Sequence, residues 1–358
     1  MILQRMMYKT FYILPQLLRN SRGISMKRWA KIVLWLVPII IAMISFSVGR
    51  FDVSLEHVFK IFASQFFDVE QTWTEMEERV VLNIRLPRIL LALLIGGGLS
   101  IAGASFQGMF GNPLVSPDIL GVSAGAGFGA SLGILLFGQN FTTQVMALAF
   151  GIVAIGFTFL VAGAKKNAPI FMFVLAGVIT SALFNALISL TKFVADPEEK
   201  LPAITYWLMG SLGTATYQDV MIAGPLIIIG MLILYGLRWR LNILTLPEDE
   251  AKSMGISVTK LKWVIIFAAT LITAASVAVA GIVGWVGLII PHVARMLVGN
   301  NNQYVLPVSI AIGSAYLLAI DNLARSITAT EIPLSILTAI IGAPFFAYLL
   351  RRSRGGWA

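Results

Sequence analysis

Long apolar runs, interrupted by short polar segments, follow one another along the chain. A transmembrane helix needs about 20 predominantly apolar residues, and roughly ten stretches approach that length. They lie at residues 31–49, 87–109, 117–137, 143–163, 169–193, 219–237, 262–281, 284–298, 304–320 and 332–350. The pattern predicts an all-α, polytopic membrane protein of about ten transmembrane helices.

Two of these windows are rich in glycine, which predicts that their helices are buried. Small residues at helical spacing let membrane helices approach closely, and beyond Arg88 and Asp118, at the second position of each window, neither carries a charge. The glycines are Gly96, Gly97, Gly98, Gly103 and Gly108 in one window and Gly121, Gly125, Gly129 and Gly133 in the next. We expect both helices to pack inside the bundle.

The composition supports this class. Hydrophobic residues make up 58% of the 358 positions and charged residues 12%, whereas soluble domains carry about 25% charged residues. This excludes a soluble globule.

Lysines and arginines predict the orientation, because they gather in cytoplasmic loops. With the N-terminus inside, 18 of the 26 fall on the cytoplasmic side and both termini are cytoplasmic. The first outer loop is instead acidic, with Asp52, Glu56, Asp68, Glu70, Glu75, Glu77 and Glu78. We interpret the net charge of +9 as membrane orientation rather than nucleic-acid affinity.

The polar residues argue against self-contained energy coupling or catalysis. The chain has no cysteine, and its two histidines, His57 and His292, are far apart, so we expect no resident metal or cofactor. Ion-coupled carriers usually bury acidic groups, but Asp118 and Asp219 lie near window ends. No Gly-Lys pair is present, which excludes a phosphate-binding loop. Driven transport would need a separate ATPase subunit.

One interior loop, residues 244–257, could contact such a subunit. Pro247 followed by three acidic residues is typical of a helix start, and Gly255 is typical of a helix end. We predict a short amphipathic helix carrying Ala251 and Met254, then a second short helical piece before Lys260. A solvated connector is the alternative.

Residues 281–295 form an apolar, glycine-rich run whose last five residues are Pro-His-Val-Ala-Arg. Spacing alone favours close helix packing followed by a turn. Asn112 and Pro113 interrupt the backbone between two windows, which at membrane depth requires protein or a water-filled cavity around them. Gln107 either lines a path or bonds a neighbouring helix.

Five segments together resemble the FecCD-type permeases, the membrane subunits of type II ABC importers for iron–siderophore complexes, haem and cobalamin. The resemblance covers about residues 31–352. The segments are Arg85-Leu-Pro-Arg88, residues 111–126, Glu250-Ala-Lys-Ser-Met-Gly255, residues 284–295, and Glu331-Ile-Pro with Gly342-Ala-Pro-Phe345.

The resemblance implies a domain at 31–352 with short coupling helices at about 246–258, a basic cytoplasmic segment at 1–30 and a tail at 353–358. It also implies pairing with a second copy or a paralogue, an ATPase dimer on the inside and an extracytoplasmic substrate-binding protein. The implied localisation is the plasma membrane of a prokaryote.

Site residues follow from the same resemblance. Residues matching the binding-protein contacts are Arg85, Arg88 and, with slightly different spacing, Arg325. Residues matching the ATPase contacts are Glu250, Ala251, Met254 and Gly255. The translocation path or gate is expected near Gln107, Asn112, Pro113, Asn167, Ala168 and Pro169. We expect Arg85 and Arg88, which flank Pro87 just outside a glycine-rich helix, to present positive charge to the outer solvent, with headgroup anchoring as the alternative.

The expected function is the permease subunit of an ATP-driven importer, carrying an iron(III)–siderophore or related metal chelate and catalysing no reaction itself. Haem, cobalamin or a metal oxyanion are alternatives for the cargo. A stand-alone carrier or channel is the alternative from a different class, and a membrane-embedded enzyme would need a catalytic cluster that the sequence lacks.

Overall fold

A computed structural model describes residues 28–163, 170–246 and 248–352 as an assembly of helices. In chain order they are α1 (Arg28–Ser47), α2 (Leu55–Ser64), α3 (Glu75–Arg79), α4 (Leu86–Phe110), α5 (Val122–Phe137), α6 (Phe141–Ala162), α7 (Ile170–Val194), α8 (Lys200–Met209), α9 (Tyr217–Gly236), α10 (Glu248–Ser253), α11 (Val258–Ala280), α12 (Val286–Val298), α13 (Asn302–Ser326) and α14 (Leu334–Arg352).

All ten predicted windows contain a helix. Six helices of the described ranges are long and apolar enough to cross a membrane, and four shorter apolar helices occupy the remaining windows. The prediction of an all-α, roughly ten-helix membrane protein is confirmed. The predicted tail 353–358 and residues 1–27 of the N-terminal segment lie outside the described residues.

At two places the helical structure extends beyond the predicted apolar window. A π-helical turn, Val80–Arg85, joins α3 to α4, so one helical segment runs from Glu75 to Phe110 and includes both arginines of the Arg-Leu-Pro-Arg motif. Pro87 directly follows this π-helical turn, in which the amide of Leu86 donates to the carbonyl of Val81, five residues back, so the regular α-helical hydrogen-bond pattern is already interrupted where Pro87 lacks an N–H. At the other boundary, α13 continues to Ser326, which brings Asp321 inside the helix.

Two hydrogen bonds between helix ends and their connectors identify one end of the bundle. Tyr217 donates to the carbonyl of Leu82 at 2.6 Å, and the amide of Leu334 donates to the carbonyl of Gly210 at 2.9 Å. We call this the outer end and the opposite end the inner end, after the sides predicted from the charges.

α4 lies at the centre. Of its apolar stretch 83% is buried within the chain, against 28% for α6 and for α7. It packs on α13, α9, α11, α12 and α1, and its glycines permit the closest crossings. A Cβ on Gly96 would overlap the carbonyl of Gly313, and one on Gly103 would overlap the carbonyl of Gly287. The glycine-rich windows are therefore buried, as expected.

The backbone between α4 and α5 is irregular but enclosed. Gly111 ends α4 with a φ of +61°, and a 3-10 turn, Pro117–Leu120, precedes α5. Thr158 donates to the carbonyl of Leu120 at 2.8 Å, and a Cβ on Gly177 would overlap the carbonyl of Ile119. Helices α6 and α7 thus surround this turn, as non-helical backbone at membrane depth requires.

Candidate functional sites at the two ends of the bundle

Arg88 is the centre of a buried ion-pair network at the outer end. Its Nε lies 3.0 and 2.9 Å from the two carboxylate oxygens of Asp321, and its Nη2 lies 2.9 Å from Oδ1. Nη1 and Nη2 reach the oxygens of Glu331 at 2.7 and 3.0 Å. Arg88 is 5% exposed and Asp321 fully buried. The network therefore fastens α4 to α13 and to the connector before α14.

Arg85 and Arg325 complete the cluster mainly through neutral oxygens. Arg85 donates to the carbonyls of Phe46 and Phe51. The Nη2 of Arg325 donates to the Ser45 carbonyl at 2.6 Å, and its Nε lies 3.9 Å from Asp321.

The side chains of Arg85 and Arg325 are also buried, so the expectation that Arg85 and Arg88 present their charge to solvent is wrong. The three guanidinium groups turn inward because each donates hydrogen bonds to carbonyl or carboxylate oxygens near the helix ends. Three arginines against Asp321 and Glu331 leave the cluster one positive charge in excess.

Glu331 is the member of this network that water reaches, since 30% of its side chain is exposed. Burial acts to raise its pKa, but the hydrogen bond and the charge of Arg88 outweigh that effect, so the pKa lies below its ordinary value. Glu331 therefore stays ionised, and paired with Arg88, at neutral pH.

Exposed acidic side chains lie at the outer end, above the buried cluster with its excess positive charge. The side chains of Glu56 and Glu75 are 72% and 85% exposed, and Asp68 and Glu70 are exposed as well. His57 lies among them, with its Nδ1 2.8 Å from Glu77. In the described residues, no group of three or more His, Cys, Asp or Glu side chains is placed to hold a metal ion.

α10 forms the protruding part of the inner end, and the prediction of a short helix ending at Gly255 is confirmed. The helix begins at Glu248, directly after Pro247, which lies outside the described residues. Gly255 has a φ of +75° and open space around its Cα. The predicted second short helical piece does not exist as a separate element, because it is the first turn of α11, capped by Ser257.

The predicted ATPase contacts separate into two groups. Glu250, Met254 and Gly255 are exposed, with Met254 at 57%. Ala251 is 1% exposed and packs on Ile243 and Val258, so its prediction as a surface contact is wrong. Ala251 instead holds α10 against the bundle.

The predicted path residues are spread over the inner half. Gln107 donates to the carbonyl of Leu288 in α12 at 3.1 Å, which is the helix-to-helix bond considered as its alternative role. Asn112 is exposed, and its side chain accepts the amide of Leu114 at 2.9 Å; Pro113 lies beside it in the same turn. The expected gate residues Asn167, Ala168 and Pro169 lie outside the described residues.

The inner end also carries a polar cluster that the sequence reasoning did not single out. Asn242, in the 3-10 turn Arg240–Thr245, bonds the side chain of Asn301 and the amide of Asn302. Asn302 is 2% exposed and accepts a hydrogen bond from Arg295. The one sequence signal was Arg295, a charge at the end of an apolar run.

Comparisons with known proteins agree with this architecture. The sequence model of the FecCD transport family matches residues 36–352. The molybdate import system permease protein MolB of Haemophilus influenzae is 41% identical over 324 residues, covering 90% of this chain and 96% of the relative. A probable iron chelatin transport system permease protein of Helicobacter pylori is 39% identical over 276 residues, covering 77% and 83%.

A solved structure of similar fold leads to the same family. It is described as an inward-facing conformation of a putative metal-chelate type ABC transporter, and it superposes with a TM-score of 0.82 at 40% identity, covering 91% of this chain and all of that one. From the family match over most of its length and from these relatives, the chain belongs to the FecCD transport family and is an ABC importer permease.

Proposed function

We propose that this permease carries an iron(III)–siderophore or a related metal chelate, delivered by a substrate-binding protein and driven by a separate ATPase dimer. The similarity to a metal-chelate type transporter over 91% of the chain supports this cargo class most directly. A metal oxyanion is the second candidate, because the relative with 41% identity is a molybdate permease.

Uptake into proteoliposomes distinguishes the two cargoes. The permease is reconstituted with its ATPase and with the binding protein encoded beside it, and radiolabelled iron–siderophore and molybdate are offered separately with internal ATP. Uptake of the chelate alone supports the first candidate, and uptake of molybdate alone refutes it. Uptake without ATPase would refute the importer mechanism and favour the stand-alone carrier.

The inner end is the proposed ATPase contact. Met254 and Gly255 protrude beyond the end of α10, where the exposed thioether side chain offers an apolar contact. Gly255→Val strains a backbone with positive φ, so we expect loss of ATPase assembly or of coupled transport. Gly236→Val, at an exposed helical position with open space around it, is the matched control. Normal assembly and uptake in Gly255→Val would refute this contact.

The outer end is the proposed binding-protein contact, with the buried Arg88 lying beneath the partly exposed Glu331. Because Glu331 holds the solvent side of Arg88, a carboxylate of the binding protein must take the place of Glu331. Arg85 and Arg325 add the positive excess that favours an acidic partner. Because both side chains are buried, they would attract the partner through their charge and not by direct contact.

A matched pair of variants tests this contact. Glu331→Gln removes the internal competitor, and we expect tighter association of the binding protein in low salt. Glu70→Gln removes an equal charge from the same face at an exposed site, which controls for general repulsion. Equal affinities in the two variants would show that Arg88 does not dock the partner.

A second permease copy, or a paralogue, is the proposed lateral partner. The outward faces of α7 carry large apolar side chains, including Phe171 and Phe193, which are 63% and 86% exposed. Native mass spectrometry of the purified complex distinguishes a homodimer from a heterodimer, and a single permease per ATPase pair would contradict this part of the proposal.

A further inference from the structure

Asn242 ties the turn that precedes the proposed ATPase contact to the start of α13 by side-chain hydrogen bonds. Its Nδ2 donates to the Oδ1 of Asn301 at 2.8 Å, and its Oδ1 accepts the backbone amide of Asn302 at 2.9 Å. Asn301 is the N-cap of α13. Asn242 therefore uses both functions of its amide to hold the start of α13 against the segment leading to α10.

α10 is attached to the same turn. Ala251 is buried against Ile243, the residue next to Asn242, and against Val258 at the start of α11. Packed side chains therefore connect α10 to the turn, and the hydrogen bonds of Asn242 connect the turn to α13.

The hydrogen bonds continue from α13 to two further helices. The Oδ1 of Asn302 accepts Nη1 of Arg295, in the last turn of α12, at 3.2 Å. Nη2 of Arg295 donates to the carbonyl of Ala104 in α4 at 3.3 Å. Within the described ranges, the hydrogen-bond partners of this guanidinium are these two neutral oxygens. Among the residues that the structure describes, its position is therefore set by hydrogen bonds to neutral oxygens, including that of Asn302, and not by an ion pair.

α12 can transmit a displacement because it is firmly packed along its length. The carbonyl of Gly287 is in contact with Gly103, and Gln107 bonds the carbonyl of Leu288. At its outer end Trp285 adopts a φ of +69°, and a Cβ on Gly342 of α14 would lie 3.1 Å from the Trp285 side chain. α12, which contains Pro291, therefore links the contacts of Arg295 at the inner end to the contact of Trp285 with α14.

We propose that Asn242 is a positioning residue for energy coupling, which makes the ATPase-facing segment and the inner ends of α4, α12 and α13 move as one unit through Asn302 and Arg295. This inference rests on the proposed ATPase contact at Met254 and Gly255. It adds that assembly with the ATPase is insufficient for transport unless the hydrogen-bond chain behind the contact is intact.

Asn242→Leu tests the proposal, because leucine has nearly the same size but cannot form either bond. In proteoliposomes containing the full complex, we expect the ATPase to remain bound and active while substrate transported per ATP falls about tenfold, the loss that corresponds to two neutral hydrogen bonds. Asn300→Leu, at an exposed position in the neighbouring turn, is the control and should leave the ratio unchanged.

A second variant at the far end of the hydrogen-bond chain keeps the test decisive. Arg295→Met should lower the same ratio, and the double variant Asn242→Leu with Arg295→Met should be no worse than the more affected single variant, since both break one chain. Losses that multiply in the double variant, or an unchanged ratio in Asn242→Leu, would overturn the proposal.

Assembly separates this proposal from the one on which it rests. If Asn242→Leu releases the ATPase, Asn242 belongs to the contact itself and the coupling role is wrong. If instead Gly255→Val leaves assembly and uptake normal, the ATPase contact is wrong, whatever Asn242→Leu does.

Discussion

Among single substitutions at the outer end, we expect replacement of Arg88 by methionine to lower the free energy of unfolding most. Methionine fills a similar volume but leaves Asp321, which is fully buried, without the guanidinium that makes three contacts of 3.0 Å or less with it. The remaining cation is Arg325, whose Nε lies 3.9 Å from the carboxylate. The cost should therefore come from an uncompensated buried charge.

The expected magnitude follows from burial. Removing one partner of a buried ion pair costs about 3–5 kcal/mol of the free energy of unfolding. Glu331 contributes little to that cost because water can solvate it. By contrast, Arg79→Met breaks the Glu75–Arg79 pair, whose side chains are 85% and 72% exposed, and exposed pairs contribute at most about 1 kcal/mol. Arg79→Met is thus the control for loss of an arginine.

The free energy of unfolding in bicelles, measured by steric trapping, tests the argument. Adding Asp321→Leu to Arg88→Met removes the stranded charge, so the double variant should recover at least about 2 kcal/mol relative to Arg88→Met. A cost below about 1 kcal/mol for Arg88→Met, or a double variant less stable than the single one, would refute the interpretation of the network as a buried structural ion pair.

Two further changes have expected outcomes. Gly103→Ala should destabilise the chain by about 1–3 kcal/mol through overpacking, because the new Cβ would overlap the carbonyl of Gly287, whereas Gly156→Ala, with open space around it, should be neutral or stabilising; equal effects in steric-trapping measurements would contradict the close α4–α12 crossing. The lowered pKa of Glu331 means that its stabilising contribution is present above the ordinary value of 4.5 and is lost as the pH falls through the lower folded value. The difference in unfolding free energy between wild type and Glu331→Gln should therefore persist at pH 5 and vanish only below that range, and its disappearance near pH 6 would contradict the pairing with Arg88.

The helices were predictable because their pattern is local. Each apolar window is defined by about 20 consecutive residues, and Gly255 was recognisable as a helix end because a positive φ favours glycine. The sequence also located Arg85, Arg88 and Arg325. It could not give their partners, since Asp321 and Glu331 lie 233 and 243 positions from Arg88 and meet it only in the folded bundle.

The misassignment of Ala251 has a local cause. Ala251 and Met254 are three positions apart, a spacing that places two residues on one helical face. α10 is six residues long and ends at Ser253. Ala251 is 1% exposed and Met254, which follows the helix, is 57% exposed, so the spacing did not predict that Ala251 packs against the bundle.

The contacts of α4 with α13 restrict where the bundle can change shape. At the outer end Arg88 bonds Asp321; in the middle the backbones of Gly96 and Gly313 touch; at the inner end Gly108 packs on Asn302. Sliding of one helix along the other would break a buried ion pair at one end and strand the buried amide of Asn302 at the other, while the glycine contact leaves no space for rotation. Because α4 and α13 are held together at three levels, we expect alternating access to involve helices that are less enclosed by their own chain. Among the six long apolar helices of the described ranges, these are α6 and α7, each with 28% of its apolar stretch buried.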